Sequence, residues 1–208
     1  MLFDDPAALE PIDILNWLDV CNAGLDCEER DACQLLQKDL ELPSHLVDAL
    51  GVGASRKDLG DYFVASRREL ELSAVLTLIA AAEARIRQDA ALRMKANGDD
   101  LANRLQLLRS NTHMEWTIPL YEGGILDEWK RYIGSLTDLL RLDQARLLSA
   151  IGRFKNLLNI RHWVAHGRYW ELKWNIEHFS PSGAAEIIAE LYESLRKVAE
   201  HGSLISFA

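Results

Sequence analysis

Ser73-Ala74-Val75-Leu76-Thr77-Leu78-Ile79-Ala80-Ala81-Ala82-Glu83-Ala84-Arg85-Ile86 lies inside a longer stretch, residues 58–96, whose apolar positions recur at helical spacing. Ala74, Leu78, Ala81, Ala82, Ile86 and Ala90 form a stripe of mostly small side chains, which lets neighbouring helices approach closely. This stretch is expected to be the central helix of an all-α body. Asn97-Gly98-Asp99-Asp100 breaks the pattern and Leu101 resumes it as far as Leu108. A loop follows over residues 117–124, with Pro119 and the Gly123-Gly124 pair, before Leu126, Trp129, Ile133, Leu136 and Leu140 mark another amphipathic helix.

Toward the C-terminus, Asp143 is placed to cap a helix whose apolar face reads Leu147, Ile151, Phe154 and Leu158 and whose pattern fades at Ala165-His166-Gly167. Trp170, Leu172, Trp174 and Ile176 alternate with polar residues, as in a short extended segment. Ser180-Pro181 then supplies a cap and a first-turn residue for a last helix ending near Gly202. Toward the N-terminus, Ile12, Leu15, Leu18 and Val20 mark a short helix after Pro11, and Ala32, Leu35, Leu36 and Leu40 a second. Pro43-Ser44 opens a third, ending near Gly51-Val52-Gly53. The latter stretch completes neither GxGxxG nor GxxxxGK[ST] and has no strand before it, so it reads as a linker between helices.

The chain has 208 residues, 49% of them hydrophobic and 26% charged, enough for a substantial core. Its longest nearly uncharged apolar run, residues 72–82, is well short of the roughly 18–20 residues of a membrane span, and Met1-Leu2-Phe3-Asp4-Asp5 does not resemble a secretory leader. A cytoplasmic protein without membrane contact is expected. Cys21, Cys27 and Cys33, six apart, fit neither a zinc pair nor a disulfide framework, so reduced thiols are expected.

The net charge of −9 is unevenly spread. Residues 1–61 hold 14 acids and four bases, whereas the remainder holds 18 acids and 19 bases. The division predicts an acidic helical N-terminal region over residues 1–61 and a helical bundle over 62–208. Within the bundle, the window 153–173 carries Arg153, Lys155, Arg161, Arg168 and Lys173 against Glu171 alone, a local anion-attracting patch or a solvated face.

That window contains Arg161-His162-Trp163-Val164-Ala165-His166-Gly167-Arg168-Tyr169-Trp170. On an ideal helix Arg161 and His166 stand about 140° apart, so one must leave the helix, or two chains must share the site, for both to reach one substrate atom. Gly167 gives the helix a reason to end there. Tryptophan follows His162 where an HExxH hydrolase needs glutamate, which disfavours a metalloprotease; a two-histidine metal site would need His113 or His178 to complete it. No GxSxG elbow is present. Proton transfer by histidine beside an arginine-bound phosphate remains, which suits RNA because its 2′-hydroxyl supplies the nucleophile.

Arg161-His162-Trp163-Val164-Ala165-His166, closing a helix of an all-α body, resembles the R-(polar)-x3-H signature of HEPN domains, the helical domains of many prokaryotic toxin and defence ribonucleases. The resemblance covers residues 62–202 and implies an up-and-down bundle that forms a homodimer with two motifs facing across a composite cleft. It implies that His166 is the general acid or base, Arg161 binds and stabilises the scissile phosphate, and His162 orients the pair. Arg168, Arg153 and Lys155 would hold flanking phosphates, with Glu83, Arg87 and Asp89 on the long helix supporting the motif. RNA is the implied partner, with an antitoxin or regulatory protein as a further one. No cofactor or metal is called for, and products would carry 2′,3′-cyclic phosphate and 5′-hydroxyl ends. The alternatives are a HEPN module that binds nucleotide, RNA or protein without cutting, and a helical adaptor using its acidic segment. An isolated R-x4-H also arises as a helix-end salt bridge with a histidine favoured by the helix dipole.

Overall fold

The computed structural model describes residues 9–96, 98, 100–111, 123–139, 141–165 and 180–200. Among these the architecture is all-α: α1 (Pro11–Gln37), α2 (Ser44–Leu50), α3 (Arg56–Ala96), α4 (Asp100–Asn111), α5 (Ile125–Ser135), α6 (Arg141–Ala165) and α7 (Pro181–Glu200). No strand occurs among the described residues, and none of their helices is long and apolar enough to cross a membrane. The alternating segment at residues 170–176 and the loop at 117–122 lie outside the described residues.

α3 is the axis of the molecule. Its 41 residues extend about 60 Å at 1.5 Å per residue, and it packs on α1, α2, α4, α6 and α7. The stripe expected from the sequence is its inner face: Ala74, Leu78, Ala81, Ala82, Ile86 and Ala90 are all buried. Alanine at four of the six positions keeps that face shallow, so Leu101 and Leu105 of α4, Ile151 and Phe154 of α6, and Ile188 and Leu191 of α7 close round it in one cluster. α5 completes the body between α4 and α6, burying Leu126, Trp129 and Ile133.

A second, smaller cluster lies toward the start of α3, where Leu59 and Phe63 meet Ala32 of α1 and Leu46 of α2. Between the clusters, Arg67 of α3 donates to Asp26 and Glu29 of α1 at 2.6 and 2.5 Å. The charge boundary at residues 61/62 therefore falls inside a continuous helix, and α1 sends Ile14 and Leu18 into the large core. The start of α1 is fastened there by Arg85, which donates to Glu10 at 2.6 Å and lies over the Tyr192 ring of α7 at 4.8 Å.

Three local expectations need correction. The two short helices expected over residues 12–40 are one helix, α1; Gly24 costs about 1 kcal/mol relative to alanine inside a helix, less than the packing of Leu25 and Ala32 on one side and Ile14 and Leu18 on the other recovers. α5 stops at Ser135 because Gln144 donates to the Ile133 carbonyl at 2.8 Å and Leu136 turns extended, so Leu136 lies beyond the helix rather than on its face. Asp143 is the third residue of α6 and not its cap, a position where the helix dipole favours a carboxylate.

Two caps and linkers follow the sequence closely. Gly51 and Gly53 take φ of +87° and +83°, which glycine adopts freely, and the stretch joins α2 to α3. Ser180 accepts a hydrogen bond from the Gly183 N–H at 3.1 Å, with Pro181 as first residue of α7. Ser180→Ala is expected to cost about 1 kcal/mol of unfolding free energy in urea titration, the usual worth of such a cap.

Candidate functional site

α6 positions the basic window. Its inner residues Leu147, Ile151, Phe154 and Leu158 are buried, which fixes the rotation of the helix and therefore the direction of each charged side chain between them. Arg153, Lys155 and Arg161 point to three different neighbours. Arg153 pairs with Glu190 of α7; Lys155 donates to Asp127 of α5 at 2.6 Å; Arg161 pairs with Glu83 of α3 at 3.4 Å. The window is basic in sequence, but each of these three bases already faces a carboxylate from another helix. A phosphate at Arg153 or Lys155 has to compete with that carboxylate.

The arrangement at Glu83 differs from the other two. Its Oε1 accepts from Arg87, one turn further along α3, at 3.1 Å from Nε and 2.8 Å from Nη2. Its Oε2 faces Arg161 Nη1 at 3.4 Å, longer than the roughly 2.7–2.9 Å of a tight charge-assisted hydrogen bond. Glu83 is 15% exposed and Arg161 49% exposed, so a nearly buried carboxylate restrains a guanidinium that keeps half its surface in solvent. Glu83 thus divides one carboxylate between two guanidiniums, with the shorter contacts to Arg87. His162, next in sequence, is exposed on the last turns of α6. Arg161 is therefore restrained at the end of α6 with half its surface open to an anion.

Of the residues singled out in the sequence, the structure brings Glu83, Arg87 and Arg161 together. Asp89 does not join them. Six residues beyond Glu83, it stands about 120° round the helix axis and pairs instead with Arg93 at 2.7 Å, both side chains being buried. Arg93 in turn lies 4.7 Å from the centre of the Trp129 ring. His166 and Arg168 lie outside the described residues, as do His113 and His178.

Asp127 and Glu190 were not singled out by the sequence, where no spacing ties Asp127 to a residue 28 positions later. Asp127 also accepts from the Gly123 N–H at 2.7 Å. Burial pushes its carboxyl up, but the Lys155 and Gly123 hydrogen bonds and the charges of Lys155 and Lys130 outweigh it, so the net displacement is below the ordinary 3.8. A carboxyl depressed on folding stabilises the protein above its unfolded value and loses that contribution as pH falls through its folded value. The stability advantage of the wild type over Asp127→Asn should thus be constant from pH 7 to 5 and shrink below pH 4. Urea midpoints of both proteins at pH 7, 5 and 3 measure it; an advantage that grows toward pH 3 contradicts the assignment.

Compared with protein-family models, curated proteins and solved structures, the chain matches none of them.

Proposed function

We propose that the chain is a metal-independent endoribonuclease of the HEPN type, acting as a homodimer with a composite Arg/His site and serving a toxin or defence role. The observation that carries this reading is the Glu83–Arg161 pair: the arginine of the motif stands half-exposed at the end of α6, restrained by a carboxylate that Arg87 holds from its other side. Restraint without full neutralisation is what a phosphate-binding arginine needs, because the guanidinium is oriented in advance and still attracts an anion.

In this mechanism the 2′-hydroxyl of RNA loses its proton to His166 of one protomer as its oxygen attacks the adjacent phosphorus. The bond to the 5′-oxygen breaks, that oxygen takes a proton from the histidine of the other protomer, and a 2′,3′-cyclic phosphate and a 5′-hydroxyl result. Arg161 neutralises charge on the non-bridging oxygens, and His162 orients the pair. An unperturbed histidine pKa of about 6.5 suits both proton transfers.

The matched pairs of Arg153 and Lys155 favour a second reading, a HEPN module that binds nucleotide, RNA or a protein partner and does not cut. Incubation of the purified protein with tRNA and total RNA in EDTA, with gel-shift and sedimentation run on the same sample, separates the two. Cleavage by a dimer supports the ribonuclease; retention of intact RNA by a dimer supports the binding module and removes the catalytic role of His166.

A further inference from the structure

Arg153 lies opposite Glu190, while Leu147 and Ser194 line a common cavity, so α6 and α7 run antiparallel. The cavity of about 270 Å³ opens where α6 begins and α7 ends. It lies some 16 residues along α6 from Arg161, a separation of about 24 Å, and shares with the site described above only the Arg153–Glu190 pair. Its volume is just below the roughly 300–1,000 Å³ of pockets for drug-sized ligands, which points to a smaller guest.

The lining charges sort by pairing. Glu190 is held by Arg153, and Glu193 by Lys197 at 2.8 Å. Asp143 and Arg146, three apart on the α6 wall, make no ion pair or hydrogen bond with a described residue, although the Arg146 charge, behind that of Lys197, acts on Glu193. Ser194 is 7% exposed, lines the cavity, and likewise has no hydrogen-bond partner among the described residues. Leu139 and Leu147 supply apolar wall. A hydroxyl that opens on the cavity offers a guest one hydrogen bond. A carboxylate without an ion-pair partner among the described residues, a guanidinium not in contact with an acid, a cavity-facing hydroxyl and an aliphatic wall complement a guest that carries one charge of each sign on an aliphatic body.

We propose that this cavity binds a small aliphatic zwitterion, an α-amino acid of the leucine, isoleucine, valine or methionine kind. The ligand's ammonium pairs with Asp143, its carboxylate with Arg146 and the Ser194 hydroxyl, and its side chain covers Leu139 and Leu147.

Isothermal titration and thermal shift with each of the four amino acids test the proposal on the full chain. Leucine amide lacks the carboxylate charge and 4-methylpentanoate lacks the ammonium. Asp143 and Arg146 are exposed, so Asp143→Asn and Arg146→Gln fold, which their unliganded unfolding midpoints verify. At least one amino acid is expected to bind saturably, and each analogue or variant to weaken it by about tenfold or more, the worth of one charge-assisted contact. Absence of saturable binding by all four overturns the proposal, as does binding that survives unchanged in both variants.

Discussion

Replacing Asp89 by alanine should lower the unfolding free energy by about 3–5 kcal/mol, the cost of breaking a buried ion pair by removing one of its members. Arg93 is 1% exposed, and its Nε donates to Asp89 at 2.7 Å while its guanidinium covers the fully buried Trp129 ring. With the carboxylate gone, the guanidinium loses its Asp89 acceptor while it stays buried against Trp129. The double variant Asp89→Leu with Arg93→Met should be far less costly than Asp89→Ala, because well-packed apolar residues replace a buried ion pair at little or no net cost. Urea titration at pH 7 measures both; a loss below about 1 kcal/mol for Asp89→Ala contradicts the assignment of this pair as a buried charge contact.

On cleavage of RNA, His166→Ala is expected to lower kcat by about 10²–10⁴, the usual worth of a positioned general acid or base. Arg161→Ala is expected to lower it by about 10²–10³, since it removes charge stabilisation at the phosphate. Arg161→Lys should restore only part of that loss, because an ammonium keeps the charge without the planar fork that meets two phosphate oxygens. Glu83→Gln keeps the shape of the carboxylate and removes its charge, so Arg161 is less restrained; kcat should fall while KM changes little. The Arg161 changes should not alter the unfolding midpoint as Asp89→Ala does, because Arg161 is half-exposed and tied to the fold by one long ion pair. Loss of cleavage together with loss of the fold would remove the chemical interpretation.

Much of the architecture was legible because α3, α6 and α7 carry their apolar residues at regular helical spacing, and because the linker glycines Gly51 and Gly53 and the Ser180 cap follow local backbone chemistry. The merging of two expected helices into α1 was not, since packing along 27 residues overrides one glycine and a polar middle. At the candidate site, the gathering of basic residues near Arg161 was visible in one dimension and Glu83 was expected beside the motif from the resemblance, but Asp127 and Glu190 come from α5 and α7, and only the fold brings them to α6. The Asp89–Arg93 pair did leave a trace in the sequence. Arg93 continues the Ile86 and Ala90 face at helical spacing, which places a charge on the buried side of the central helix.

The measurement closest to the central claim is a side-by-side incubation of wild type and His166→Ala with tRNA in EDTA, both shown by sedimentation to be folded dimers, with the new RNA ends identified. The ribonuclease account predicts cleavage by the wild type alone, leaving 2′,3′-cyclic phosphate and 5′-hydroxyl ends. Equal cleavage by both proteins, or 3′-hydroxyl and 5′-phosphate ends from the wild type, would contradict it.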